Sequence, residues 1–167
     1  MKTITETELK NILAQHKLWV ESSRSNGRRA NLVGANLENA NLENTNLVGA
    51  NLKSANLKSA NLKSADLSGA TLYGANLKGA NLENANLVGA NLWGANLENA
   101  DISSANLYGA PLYGANLKGA NLKGANLENA DLEGANFSRA NLKNANLEGA
   151  YLKGANFNGA NLIRCKP

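Results

Sequence analysis

A chain of 167 residues, 43% apolar and carrying a net charge of +4, is long enough for one domain with a continuous core, and none of its apolar runs reaches the ~18–20 residues that cross a membrane. One cysteine (Cys165) excludes an internal disulfide, and one histidine (His16) without a cysteine pair leaves no metal-ligand spacing. The charge is uneven: residues 1–29 carry six basic and three acidic side chains, residues 30–163 carry nine and ten, and Arg164 and Lys166 add two positives.

The first predicted element is a helix over residues 5–21. Thr5 and Glu8 have the spacing of a capping box, which satisfies free N–H groups at a helix start. Leu9, Ile12, Leu13, His16 and Val20 then fall on one stripe. Ser22-Ser23-Arg24-Ser25-Asn26-Gly27 is a turn-rich exit. Residues 1–29 therefore read as a cap whose stripe covers Leu32, Leu37, Leu42 and Leu47, with His16 packing there rather than catalysing. The start Met1-Lys2-Thr3-Ile4-Thr5-Glu6 has no apolar signal region, and with the lone thiol this predicts a cytoplasmic protein.

From Ala30 to Arg164 run 27 five-residue units without insertion or deletion, each reading Ala-(Asn/Asp)-Leu-x-x. The central residue is Leu except at Ile102, Phe137 and Phe157, and the residue two before it is Ala except at Thr45. So strict a period means a solenoid, in which stacked units share one core. Five residues fit neither a helix at 3.6 nor an alternating strand at two, but they suit extended pieces joined by tight corners. The last position is Gly in 15 units and Asn or Ser in ten, with Arg139 and Arg164 the others; Gly and Asn tolerate the positive φ of a type II turn.

With its A(D/N)LXX units, the sequence resembles the pentapeptide-repeat family over about 80% of its length. The resemblance implies a right-handed quadrilateral parallel β-helix, an all-β solenoid with four units per coil and about 6.75 coils. The leading helix resembles cyanobacterial members with an N-terminal helical cap. The predicted organisation is a cap over 1–29, a repeat solenoid over 30–163 and a short tail over 164–167. Few residues follow Leu162, so no C-terminal helix is expected, and the open coil around Phe157 and Leu162 is a candidate self-association end.

A 20-residue coil places residues 20 apart on one face. The first face then carries Val33, Lys53, Tyr73, Trp93, Tyr113, Glu133 and Lys153 at its outward position. Tyr108 lies around the corner from Tyr113, and Tyr151 replaces an Asn on the same face, so five of eight aromatics gather on one side as a candidate partner surface. The second face (Glu38, Lys58, Lys78, Glu98, Lys118) and the third (Glu43, Lys63, Glu83, Ser103, Lys123) alternate charge and read as solvated ladders. Phe137 and Phe157 should stack one coil apart, and Thr45 needs an acceptor for its hydroxyl.

No catalytic residue, cofactor or small-molecule substrate is indicated, because no nucleophile–base pair, phosphate loop or calcium-binding nonapeptide occurs. Cys165 has no basic partner on a defined element and reads as an inert thiol. Two functions follow from the resemblance: a protein-interaction scaffold of unknown partner, or a DNA mimic that binds DNA gyrase, as some members do. A rod of ~32 Å would have to match ~19 phosphate charges, whereas the repeat body carries −1. Mimicry and direct DNA binding are therefore disfavoured, and a non-enzymatic scaffold is the expectation.

Overall fold

The computed structural model describes residues 2–167. A two-residue strand, β1 (Lys2–Thr3), precedes the helix α1 (Glu6–Glu21), and β2 (Ala35–Asn36) pairs with β1 in parallel. The α1 start is the expected capping box: Thr5 accepts the Glu8 N–H, while the Glu8 carboxylate accepts the Thr5 N–H at 2.8 Å. The Thr5 N–H and the Thr5 hydroxyl both donate to the Glu8 carboxylate and hold it below the usual carboxylate range. The strand β1 has no counterpart in the pattern of the sequence. Two residues are too short for a periodic signal, and they take their place by extending the ladder over Ala35 and Asn36.

Beyond the cap, parallel bridges link residues 20 apart all along the chain, from Asn31 with Asn51 to Asn146 with Lys166. Four five-residue units thus make one coil of a repeat β-helix. The ladder runs on through Lys166, whose carbonyl accepts the Leu147 N–H.

The consensus follows from accounting for five backbone N–H groups per unit. The Leu N–H and the corner N–H donate to the next coil, as in Leu92 to Pro111 and Gly94 to Tyr113. The Asn N–H donates to the preceding coil, and the Ala N–H closes the turn onto the Leu carbonyl three residues before it. One N–H remains, that of the outward residue after Leu. In every unit but three it donates to the side-chain oxygen of the Asn or Asp two residues earlier. Asn is therefore the repeat's own turn acceptor. All corner residues have φ between +54° and +71°, including Arg139 and Arg164.

The core is a column of central Leu and inward Ala side chains, almost all buried from Ala30 to Leu147. Phe137 and Phe157 stack with ring centroids 4.9 Å apart and planes 4° apart, as expected. Thr45 donates only weakly, to the Glu43 carbonyl at 3.5 Å. Leu152 and Leu162 lie exposed in the last coil, which also leaves Ile163 59% exposed.

The cap seats Ile4, Leu9, Ile12 and Leu13 on this core. His16 is fully buried, accepts the Ala30 N–H on Nδ1 at 3.1 Å and stacks on Trp19 at 5.5 Å. Its exit loop depends on Gly27, at φ +71°, which lies against the helix backbone. A Cβ there would fall on the Gln15 carbonyl oxygen and 2.7 Å from the Trp19 nitrogen. Gly27→Ala is therefore expected to cost at least ~1–3 kcal/mol, read as a lowered denaturation midpoint. Gly94→Ala is the control for positive φ alone, since a Cβ at Gly94 meets nothing within 4 Å.

Candidate protein-interaction surface

The four faces differ in what they show to solvent. The second and third faces bear ion pairs one coil apart: Lys58–Glu38 at 2.9 Å, Lys63–Glu83 at 2.8 Å and Lys78–Glu98 at 2.9 Å. Each lysine holds its partner once; Glu43 instead accepts from Asn61 at 3.0 Å, and no pair forms between Glu98 and Lys118. Hydrogen bonding to Lys58 and Lys78 holds the Glu38 and Glu98 carboxyls below the usual range. Such exposed pairs contribute little stability individually.

The first face bears one such pair, Lys153–Glu133 at 3.3 Å, and differs in its aromatics. Tyr73, Trp93 and Tyr113 project from consecutive rungs, 45%, 44% and 49% exposed. Trp93 and Tyr113 pair at 5.7 Å with rings tilted by 51°, and Lys53 Nζ sits 5.5 Å from the Tyr73 ring. Tyr108 on the fourth face and Tyr151 on the first are exposed as well. The structure therefore brings all five sequence-selected aromatics to the surface, three of them in one row. Phe157 and Leu162 lie elsewhere, with Cys165, at the end of the stack, where burial pushes the thiol up.

Two further features set the first face apart. The three units that lack Asn or Asp are Thr71, Pro111 and Tyr151, and all three lie on this face. Hence the N–H groups of Tyr73, Tyr113 and Lys153 have no protein acceptor among the described residues, and Pro111 cannot make the backbone bond to Ala90 that its neighbours make to theirs. The second, third and fourth faces carry side-chain amide ladders, such as Asn56 to Asn36 at 2.9 Å, Asn121 to Asp101 at 3.1 Å and Asn86 to Asp66 at 3.0 Å; the first face has none among the described residues.

The second feature is the corners. Gly fills them on the first and fourth faces everywhere except Ser54 and Asn129, whereas the other two faces mostly use Asn, Ser or Arg at the same φ. A Cβ at Gly94 or Gly114 would meet nothing within 4 Å, so internal crowding does not explain the choice. The result is a smooth edge that leaves the aromatic row as the raised element.

No group of three His, Cys, Asp or Glu among the described residues is placed to hold a metal. Among the described residues, no helix is long and apolar enough to cross a membrane.

The family described as pentapeptide repeats matches this chain in 8 copies, at residues 23–44, 30–69, 80–119, 112–149 and 130–166. HetL, a pentapeptide repeat protein involved in heterocyst differentiation regulation from the cyanobacterium Nostoc sp. strain PCC 7120, is 33% identical over 81% of this chain and 73% of its own, with a TM-score of 0.37. Rfr23 from the cyanobacterium Cyanothece 51142 is 35% identical over 92% and 98%, with a TM-score of 0.35. QnrB1, a plasmid-mediated fluoroquinolone resistance protein, is 22% identical over 78% and 80%, with a TM-score of 0.45. No curated protein matches. The repeats fill most of the sequence, and the chain belongs to the pentapeptide-repeat family.

Proposed function

We propose that this chain is a non-enzymatic scaffold that works by protein–protein contact through its first face. The observation that supports this most is the coincidence on one face of Tyr73, Trp93 and Tyr113 with Thr71, Pro111 and Tyr151. Sheet stabilisation accounts for the Trp93–Tyr113 pair. It does not account for giving up the turn acceptor at three units of the same face. Exposed aromatics beside free backbone donors are suited to a partner that supplies apolar surface and carbonyl oxygens.

In this reading the right-handed coil is an inert rod, residues 1–29 cap it, residues 30–163 form its body and 164–167 its tail, and it acts in the cytoplasm. The DNA-mimic alternative draws no support from a repeat body with charge −1. The test is affinity capture from native lysate with wild type and with Tyr73/Trp93/Tyr113→Ser, both checked for folding by circular dichroism. A partner held by wild type and lost by the variant is the expected result. A partner retained by both would return the aromatics to sheet packing.

A further inference from the structure

The order of residues along the first face identifies a candidate occupant for it. About its middle rung, Trp93, the face is symmetric in its aromatics and opposite in its charges: Tyr73 and Tyr113 lie one rung either side, and Lys53 and Glu133 two rungs either side. At the ~4.8 Å rung spacing, the two charges sit about 10 Å from Trp93, with opposite sign. The second face also opposes charges about one rung, Lys58 to Glu98 and Glu38 to Lys118 about Lys78, but it would set Lys78 on itself and has no aromatic centre. About Ser103 the third face opposes Glu83 to Lys123 but sets Lys63 against Lys143, so its charges conflict.

We infer that the first face binds a second copy of this chain, antiparallel and side by side, with a two-fold axis close to Trp93. This rests on the reading of the aromatic row as a working surface and names its partner. A two-fold contact applies one patch to itself, so each residue meets its own mirror position. Trp93 meets the partner's Trp93, Tyr73 the partner's Tyr113, and Lys53 the partner's Glu133, the last two contacts each made twice. The parallel arrangement would set Lys53 on Lys53 and Glu133 on Glu133, so charge selects the antiparallel one.

Local geometry leaves the row free to do this. Lys53 already lies over Tyr73, its ammonium 5.5 Å from the ring, on the solvent side of the face. Glu133 is paired with Lys153 at 3.3 Å, but the Lys153 side chain is 71% exposed and free to swing aside. Gly74, Gly94 and Gly114 keep the adjoining edge clear of side chains.

Sedimentation equilibrium of the full chain over a concentration series tests this. Wild type should show a monomer–dimer equilibrium, and Tyr73/Trp93/Tyr113→Ser should be monomeric at the same concentrations. K53E alone and E133K alone each place like charges together twice, and each should weaken the dimer about tenfold or more. The double variant K53E/E133K exchanges the two charges and should recover dimerisation, with the recovery fading at high salt. A double variant no better than either single one would overturn the inference, as would a dimer lost in Leu162→Lys but kept in the aromatic variant. If wild type is monomeric throughout, yet the aromatic variant loses a captured partner, the dimer is wrong and the reading of the surface stands. If neither sedimentation nor capture responds to the aromatics, both are wrong.

Discussion

Phe137→Ala is expected to lower the unfolding free energy by about 3–5 kcal/mol, whereas Phe157→Ala should cost only ~1–2 kcal/mol. Both rings occupy the central Leu position of the second face and stack on each other at 4.9 Å. They differ in what covers them. Phe137 is fully buried beneath the coil that carries Phe157, and Phe157 is only partly buried in the last one. Truncating Phe137 leaves a void between two coils that cannot collapse, because the backbone ladders either side fix their spacing. Truncating Phe157 opens a gap at the rim. Guanidinium denaturation followed by circular dichroism measures both, and equal costs for the two variants would contradict this placement of the core.

The second large effect is at His16. His16→Ala should cost ~1–3 kcal/mol for the orphaned Ala30 N–H alone, before the lost stacking on Trp19 is counted. The same site makes stability depend on pH. Nδ1 accepts the Ala30 N–H, so the ring proton is on Nε2, which is buried without a hydrogen-bond partner. Burial of the ring lowers its pKa first, and the Arg29 charge lowers it further; the Val48 carbonyl offsets part of this. The folded value therefore lies below the unfolded one. Above the ordinary histidine value of about 6.5 both states are neutral and stability is complete. As pH falls below it, the unfolded chain takes up a proton that the folded chain resists, and stability is lost until pH passes the folded value. The denaturation midpoint should thus be lower at pH 5.5 than at pH 7.5, and H16Q should flatten that difference. A wild type indifferent to this change, or an unchanged slope in H16Q, would show that His16 does not gate the docking of the cap.

The repeat made most of the fold legible. Fixed spacing of Leu and Ala gives the core, Gly and Asn give the left-handed corners, and the capping box gives the start of α1. β1 was not legible, because its two residues join the ladder through backbone bonds alone. Lys63 and Glu98 illustrate a second limit: the sequence puts a partner on each side of both, but the structure lets each ion pair once. The candidate surface was half legible. The aromatics could be placed by counting in twenties, whereas the meaning of Thr71 and Pro111 needed the structure. Only the hydrogen-bond pattern shows that Asn at that position is the acceptor for an outward N–H, and so what its loss exposes.

On the proposed function, one side of the rod binds and the opposite side is only solvated. Hydroxyl-radical footprinting of the full chain, dilute and purified against concentrated or in native lysate, reads this directly. Protection of Tyr73, Trp93 and Tyr113 in the crowded samples, with Lys63, Glu83 and Lys123 labelled equally throughout, is the predicted result. Labelling of the aromatic row that does not change between the samples would contradict it.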